Sequence, residues 1–278
     1  MNIKSLVTTS VIAIAAASAA QAADVIIPRE TAPAVIAAAP SFSWTGFYVG
    51  GQVGNFSSTT KITVPGTDAQ IFPKDNTPKP SGFMGGIYVG SNVDLGSGLV
   101  LGVETDAVWA GREETKAMKE ITLGAPEVTA LNDKFTAAKV ELKESFENGD
   151  KVHDSYTYKE KWSGATRVRI GFAAVDRVMP YVAGGIAYAQ VQGIQSVSGT
   201  RTDNNNKTTV LAGGNLYDST KTMVGFTVGG GVDFAMTDNV LLRAEYRYSD
   251  YGKKKFMNDV HEFNYKTNDF RVGVAYKF

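Results

Sequence analysis

The sequence predicts an all-β chain folded as an eight-stranded antiparallel transmembrane β-barrel, an up-and-down meander with four long extracellular loops. Three observations predict it. Segments of about ten to fourteen residues alternate apolar and polar positions with a period of two, as a tilted membrane-spanning strand requires. The connections between them alternate strictly, long then short, which places every long loop at one end of the meander. An export signal opens the chain and an aromatic residue, Phe278, closes it.

The N-terminus supplies the route to a membrane beyond the inner one. Lys4 gives a positive start, Leu6 to Ala17 an apolar stretch, and Ala20-Gln21-Ala22 a small-x-small cleavage site, so residues 1–22 are a signal peptide and the mature chain begins at Ala23. No Cys follows the cleavage point, which excludes a lipoprotein. After it no apolar run reaches the roughly 18 residues a spanning helix needs, so the chain is not a helical membrane protein. Residues 23–43, rich in Ala and Pro, form a periplasmic linker, and residues 44–278 the barrel. The expected location is the outer membrane of a Gram-negative cell.

Composition removes other classes. With no cysteine there is neither a disulfide framework nor a Cys-ligated metal site. Basic and acidic residues number 28 each, and removing Lys4 with the signal leaves 27 against 28, so no basic excess argues for nucleic acid. The Gly229-Gly230-Gly231 cluster lies inside a strand with no helix after it, which is the wrong context for a phosphate cradle. No catalytic constellation is visible, and the chain is not expected to be an enzyme.

The eight segments lie near 45–56, 81–95, 99–112, 160–173, 178–192, 222–234, 240–251 and 265–278. Short turns join the second to the third through Gly96-Ser97-Gly98, the fourth to the fifth, and the sixth to the seventh. The long connections, 57–80, 113–159, 193–221 and 252–264, are polar. Within 126–150 the apolar residues Leu131, Phe135, Ala138 and Leu142 share one side of a prospective helix in an acidic loop.

Each strand has an apolar and a polar face. In the fourth, Val168, Ile170 and Phe172 oppose Arg167, Arg169 and Gly171; in the seventh, Leu242, Ala244 and Tyr246 oppose Arg243, Glu245 and Arg247. Periodicity alone does not say which face points inward. The signal peptide, the loop sorting and Phe278 turn the apolar faces to lipid, with Trp44, Trp109 and Trp162 as an interfacial girdle. The lumen then holds Arg167, Arg169, Arg243, Arg247 and Arg271 against Glu104, Asp106 and Glu245, five cations to three anions. Two readings follow: a salt-bridge plug, since unpaired buried ions are costly, or a narrow anion-favouring conduit.

The two histidines, His153 and His261, both fall in long loops. Histidine and tyrosine are protein ligands to haem iron. His153 has Tyr156 and Tyr158 close by, and His261 follows Lys253-Lys254-Lys255, which suits haem propionates or lipopolysaccharide phosphates. The competing reading is a pair of solvated loop histidines with no ligand.

The stretches SFSWTGFYVGGQVG (41–54), KWSGATRVRIGF (161–172), MPYVAGGIAYAQ (179–190), GFTVGGGVDFAMTDNVLLRAEYRYSDYGKKKF (225–256) and NDFRVGVAYKF (268–278) resemble the porin-like outer-membrane proteins of the alphaproteobacteria. More narrowly, the chain resembles the haemin-binding outer-membrane proteins of Bartonella, relatives of the major outer-membrane proteins of Brucella. The resemblance implies surface haemin binding, contact with host cell-surface molecules and weak pore activity, and gives Phe278 the role of a signal read by the barrel-assembly machinery. It places no ligand motif residue by residue, so His153, His261, Tyr156 and Tyr158 stand as haem-site candidates on their chemistry alone. A small porin and a purely structural or adhesive protein are the alternatives.

Overall fold

In the computed structural model, which describes residues 42–71, 77–173, 175, 177–256 and 261–278, the strands close into a ring. They are β1 (Gly46–Thr63), β2 (Ser81–Asp94), β3 (Leu99–Ala117), a two-residue β4 (Ile121–Thr122), β5 (Lys151–Phe172), β6 (Val178–Thr202), β7 (Thr208–Ala235), β8 (Val240–Phe256) and β9 (His261–Lys277). One helix, α1 (Ala125–Ala137), lies between β4 and β5. Every neighbouring pair is antiparallel, and β1 pairs with both β2 and β9 while β3 pairs with β5, so eight strands form a closed barrel that β4 only extends at one edge. Closure leaves no sheet edge in the membrane, where an unpaired backbone group has no water to bond.

The expected signal peptide and all of the linker except Phe42 and Ser43 lie outside the described residues. Phe42 packs edge-on to Trp44, 4.8 Å between ring centroids. Trp44 itself is buried inside the short-turn end of the barrel, against Tyr48, Tyr88 and Met179. It is therefore no girdle residue, because the chain enters the lumen there before β1 begins. Trp109 and Trp162 do face outward, opposite each other on β3 and β5.

The packing is inside-out relative to a water-soluble protein. Val182, Ile170 and Val228 are 63%, 51% and 50% exposed, whereas Arg167 and Arg247 are each 1% exposed. Large apolar side chains form a continuous outer band, and exposing such a band to water is costly. Lumenal glycines give the interior room: a Cβ on Gly50 would stand 2.6 Å from the Tyr88 ring, and one on Gly231 2.8 Å from the Tyr181 hydroxyl.

The long connections differ most from expectation. The third and fourth are mostly strand, and β6 has 25 residues and β7 has 28, against the 9–11 or so that a tilted strand needs to cross a bilayer. The barrel wall thus continues past the lipid as an extracellular crown. Bulges mark the passage, between Trp109 and Arg112, Glu160 and Trp162, and Asp250 and Lys253. The crown has its own interior. Tyr158, Phe256, Phe263 and Tyr265 form an aromatic layer, and above it α1 buries Phe135 against Phe146, Val152, Val197 and Leu211.

Candidate functional site

Five arginines occupy the middle of the lumen, and β5, β8 and β9 present them because alternate residues of a strand share a face. Five carboxylates meet them. Glu104 accepts from Arg167 at 2.6 Å, from Arg169 at 3.2 Å, from the Tyr48 hydroxyl at 2.8 Å, and also from Arg243. Glu245 accepts from Arg167 at 2.9 and 3.0 Å, from Arg247 at 2.9 Å and from the Tyr181 hydroxyl at 2.6 Å. Asp106 takes Arg247 and Arg271, each at 3.0 Å. Asp233 holds Arg243 and Arg169, and Asp269 holds Arg271. The Arg169 and Arg243 guanidiniums also lie over the Tyr181 and Tyr88 rings, at 3.9 and 4.4 Å.

This layer corrects the expected excess of arginine. Asp233 and Asp269, each on the polar parity of its strand, bring the carboxylates bonded to these arginines to five. Paired ions meet across the centre of the lumen, five of each sign.

The four haem-site candidates are not brought together. His153 is exposed on the outward side of β5, whereas Tyr156 and Tyr158 point into the crown. Tyr158 is fully buried and stacks on Phe263, with centroids 4.4 Å apart and planes 2° from parallel. Both histidines lie in strands, not loops, because β5 and β9 extend beyond the lipid. Tyr156 and His261 meet, their ring centroids 6.0 Å apart. The Tyr156 hydroxyl donates to Asp154 at 3.0 Å, as does the Gln195 amide. Burial pulls the His261 imidazole below its usual pKa and pushes the Asp154 carboxyl above the ordinary range.

The profile of the outer membrane protein beta-barrel domain family matches residues 9–278. The chain belongs to that family. It is 31% identical to a 31 kDa outer-membrane immunogenic protein of Brucella melitensis, over 99% of this chain and 100% of the relative. A 22 kDa outer membrane protein of Rhizobium leguminosarum is 29% identical over 86% of this chain and 80% of its own. Among solved structures, the outer membrane protein OprG of Pseudomonas aeruginosa aligns with a TM-score of 0.41 and 9% identity, over 84% of this chain and 96% of that one. Membership places this barrel in the outer membrane, and its relatives are named as outer-membrane or immunogenic proteins, not as enzymes.

Proposed function

We propose that this family member is a sealed surface protein, a membrane anchor that displays a folded extracellular crown for structural or adhesive contacts. The observation that carries the reading is the lumen: five arginines and five carboxylates, all buried, bond to one another across its centre. An ion moving through would have to break charge-assisted bonds that nothing else replaces. This favours the anchor over the small porin. Reconstitution of the mature protein in planar bilayers tests it: baseline current is expected, and regular conductance steps overturn it. On the same reading the assembly machinery recognises Phe278, an exposed aromatic. Lipid and lipopolysaccharide are the partners of the outer band and rim, and host surface molecules those of the crown.

A second reading is haemin binding at the crown, favoured by the contact of Tyr156 with His261 and by the resemblance to haemin-binding outer-membrane proteins of Bartonella. On this reading the exposed Lys254 and Lys255 meet the propionates. Titrating haemin into refolded protein checks it by the Soret band. The shift is expected to vanish in His261→Ala and to survive in His153→Ala; a shift unchanged in His261→Ala removes that ligand.

A further inference from the structure

Above the lipid the barrel wall is open on one side. β7 and β8 pair only between Phe226↔Asp250 and Ala235↔Leu241, although β7 starts at Thr208 and β8 continues to Phe256. β7 stays paired with β6 along that whole outer stretch. Its opposite edge, from Asn215 to Thr222, has no strand paired with it among the described residues.

The cause is local. A bulge between Asp250 and Lys253, with Gly252 at φ +70°, bends β8 away while keeping it paired with β9. Continuing the β7–β8 register would set Lys221 opposite Lys255. There the Lys221 ammonium, not a backbone group, donates to the Lys255 carbonyl at 2.7 Å.

The same edge already accepts an added segment further out. Leu142 makes an antiparallel bridge with Ala212, and the Lys143 N–H donates to the Leu211 carbonyl at 2.9 Å. The twist and exposure of β7 therefore permit pairing on this side, and the chain uses only the outermost part of it. The added segment reaches Gly214, where an added Cβ would stand 2.5 Å from the Val140 side chain, and the uncovered part begins beyond it.

We propose that the free edge of β7, Asn215 to Thr222, binds an extended segment of an extracellular partner protein as an additional antiparallel strand. Backbone hydrogen bonds supply affinity in this mode, and side chains supply selectivity. The selectivity here is for acidic residues, because the facing end of β8 carries Lys253, Lys254 and Lys255, all exposed. Lys253 is engaged by Glu262 at 3.0 Å, and among the described residues Lys254 and Lys255 have no carboxylate in ion-pair range.

A second copy in the same membrane does not fit the edge. A two-fold axis along the membrane normal would set the two β7 strands parallel, with identical groups level, N–H facing N–H. A copy on an opposing membrane would run antiparallel, and it is an outcome of the test.

The inference names the partner chemistry of the display reading above and rests on it. Its probe is a synthetic twelve-residue peptide alternating Thr or Val with Glu, added at millimolar concentration to the full mature protein in lipid nanodiscs. A second probe is the same peptide N-methylated at alternate amides, which removes donors along one edge. Hydrogen exchange read by mass spectrometry is expected to slow about tenfold across 215–222 with the first probe and not with the second. Reversing charge in Lys254→Glu/Lys255→Glu is expected to weaken the peptide about tenfold, an effect that loss of a folded crown would not produce if a Lys-bearing peptide then gains by as much. Unchanged exchange across 215–222, or equal protection by the methylated peptide, overturns the proposal. So does pairing of separate nanodiscs with no response to peptide, which would assign the edge to a facing copy. Bilayer conductance is read without peptide, so a leaking barrel and an idle edge are distinguishable failures.

Discussion

Glu104 touches three of the five lumenal arginines and a tyrosine, which makes it the most connected carboxylate in the barrel. Replacing it by Gln keeps the shape and removes the charge, leaving buried guanidiniums short of a counterion. Breaking one side of a buried ion pair costs about 3–5 kcal/mol, so Glu104→Gln should lower the unfolding midpoint of the vesicle-inserted protein by that much free energy. In the crown, Arg201 grips both oxygens of Asp150 at 2.8 Å. Those hydrogen bonds hold the Asp150 carboxyl below the usual range. A depressed carboxylate stabilises the fold above its unfolded pKa of about 3.9, and that stability is lost as pH falls through the folded value. Amides flanking Asp150 should therefore keep slow hydrogen exchange at neutral pH and lose it below about pH 4. Strand parity made most of these lumenal residues legible in the sequence. Tyr48 and Tyr181 were not, because a tyrosine is apolar in its ring and polar at its tip, so the pattern assigns it to neither face.

At the scale of elements, the sequence marked where strands cross lipid and missed where they continue. Amphipathic alternation is strong only where one face meets acyl chains. Beyond the bilayer both faces tolerate polar groups, so Gln192, Ser196, Ser198 and Thr200 on β6 look like loop, although they stay paired through to Thr202↔Thr208. The inward positions Val191 and Val197 on that strand carried the weaker signal of a continuing interior. The helix was legible in its apolar side but not in its length. It stops at Ala137, followed by Lys139 in the left-handed conformation with φ +55°. Its hold on the crown is Phe135, fully buried and 5.3 Å from the Phe146 ring. Phe135→Ala should cost the crown about 3–5 kcal/mol. The expected result is fast proteolysis within 118–150, while the barrel below keeps its resistance to unfolding.

For the whole molecule, topology followed from the order of long and short connections, whereas orientation came from outside the periodicity. Alternation alone fits a water-soluble barrel equally well, and what separates the two is the solvent that the outer face meets. Val210 and Val228 both lie on β7, 51% and 50% exposed, the first in the crown and the second midway along the apolar band. If the band faces lipid, Val228→Arg should cost about 2–4 kcal/mol, as a cation does near the bilayer midplane of an outer-membrane barrel. Val210→Arg, an exposed change in water, should stay within about 0.5 kcal/mol. Equilibrium unfolding in vesicles measures both. Equal costs would mean that the two ends of β7 share one solvent, and the crown would then have no membrane surface to rise from.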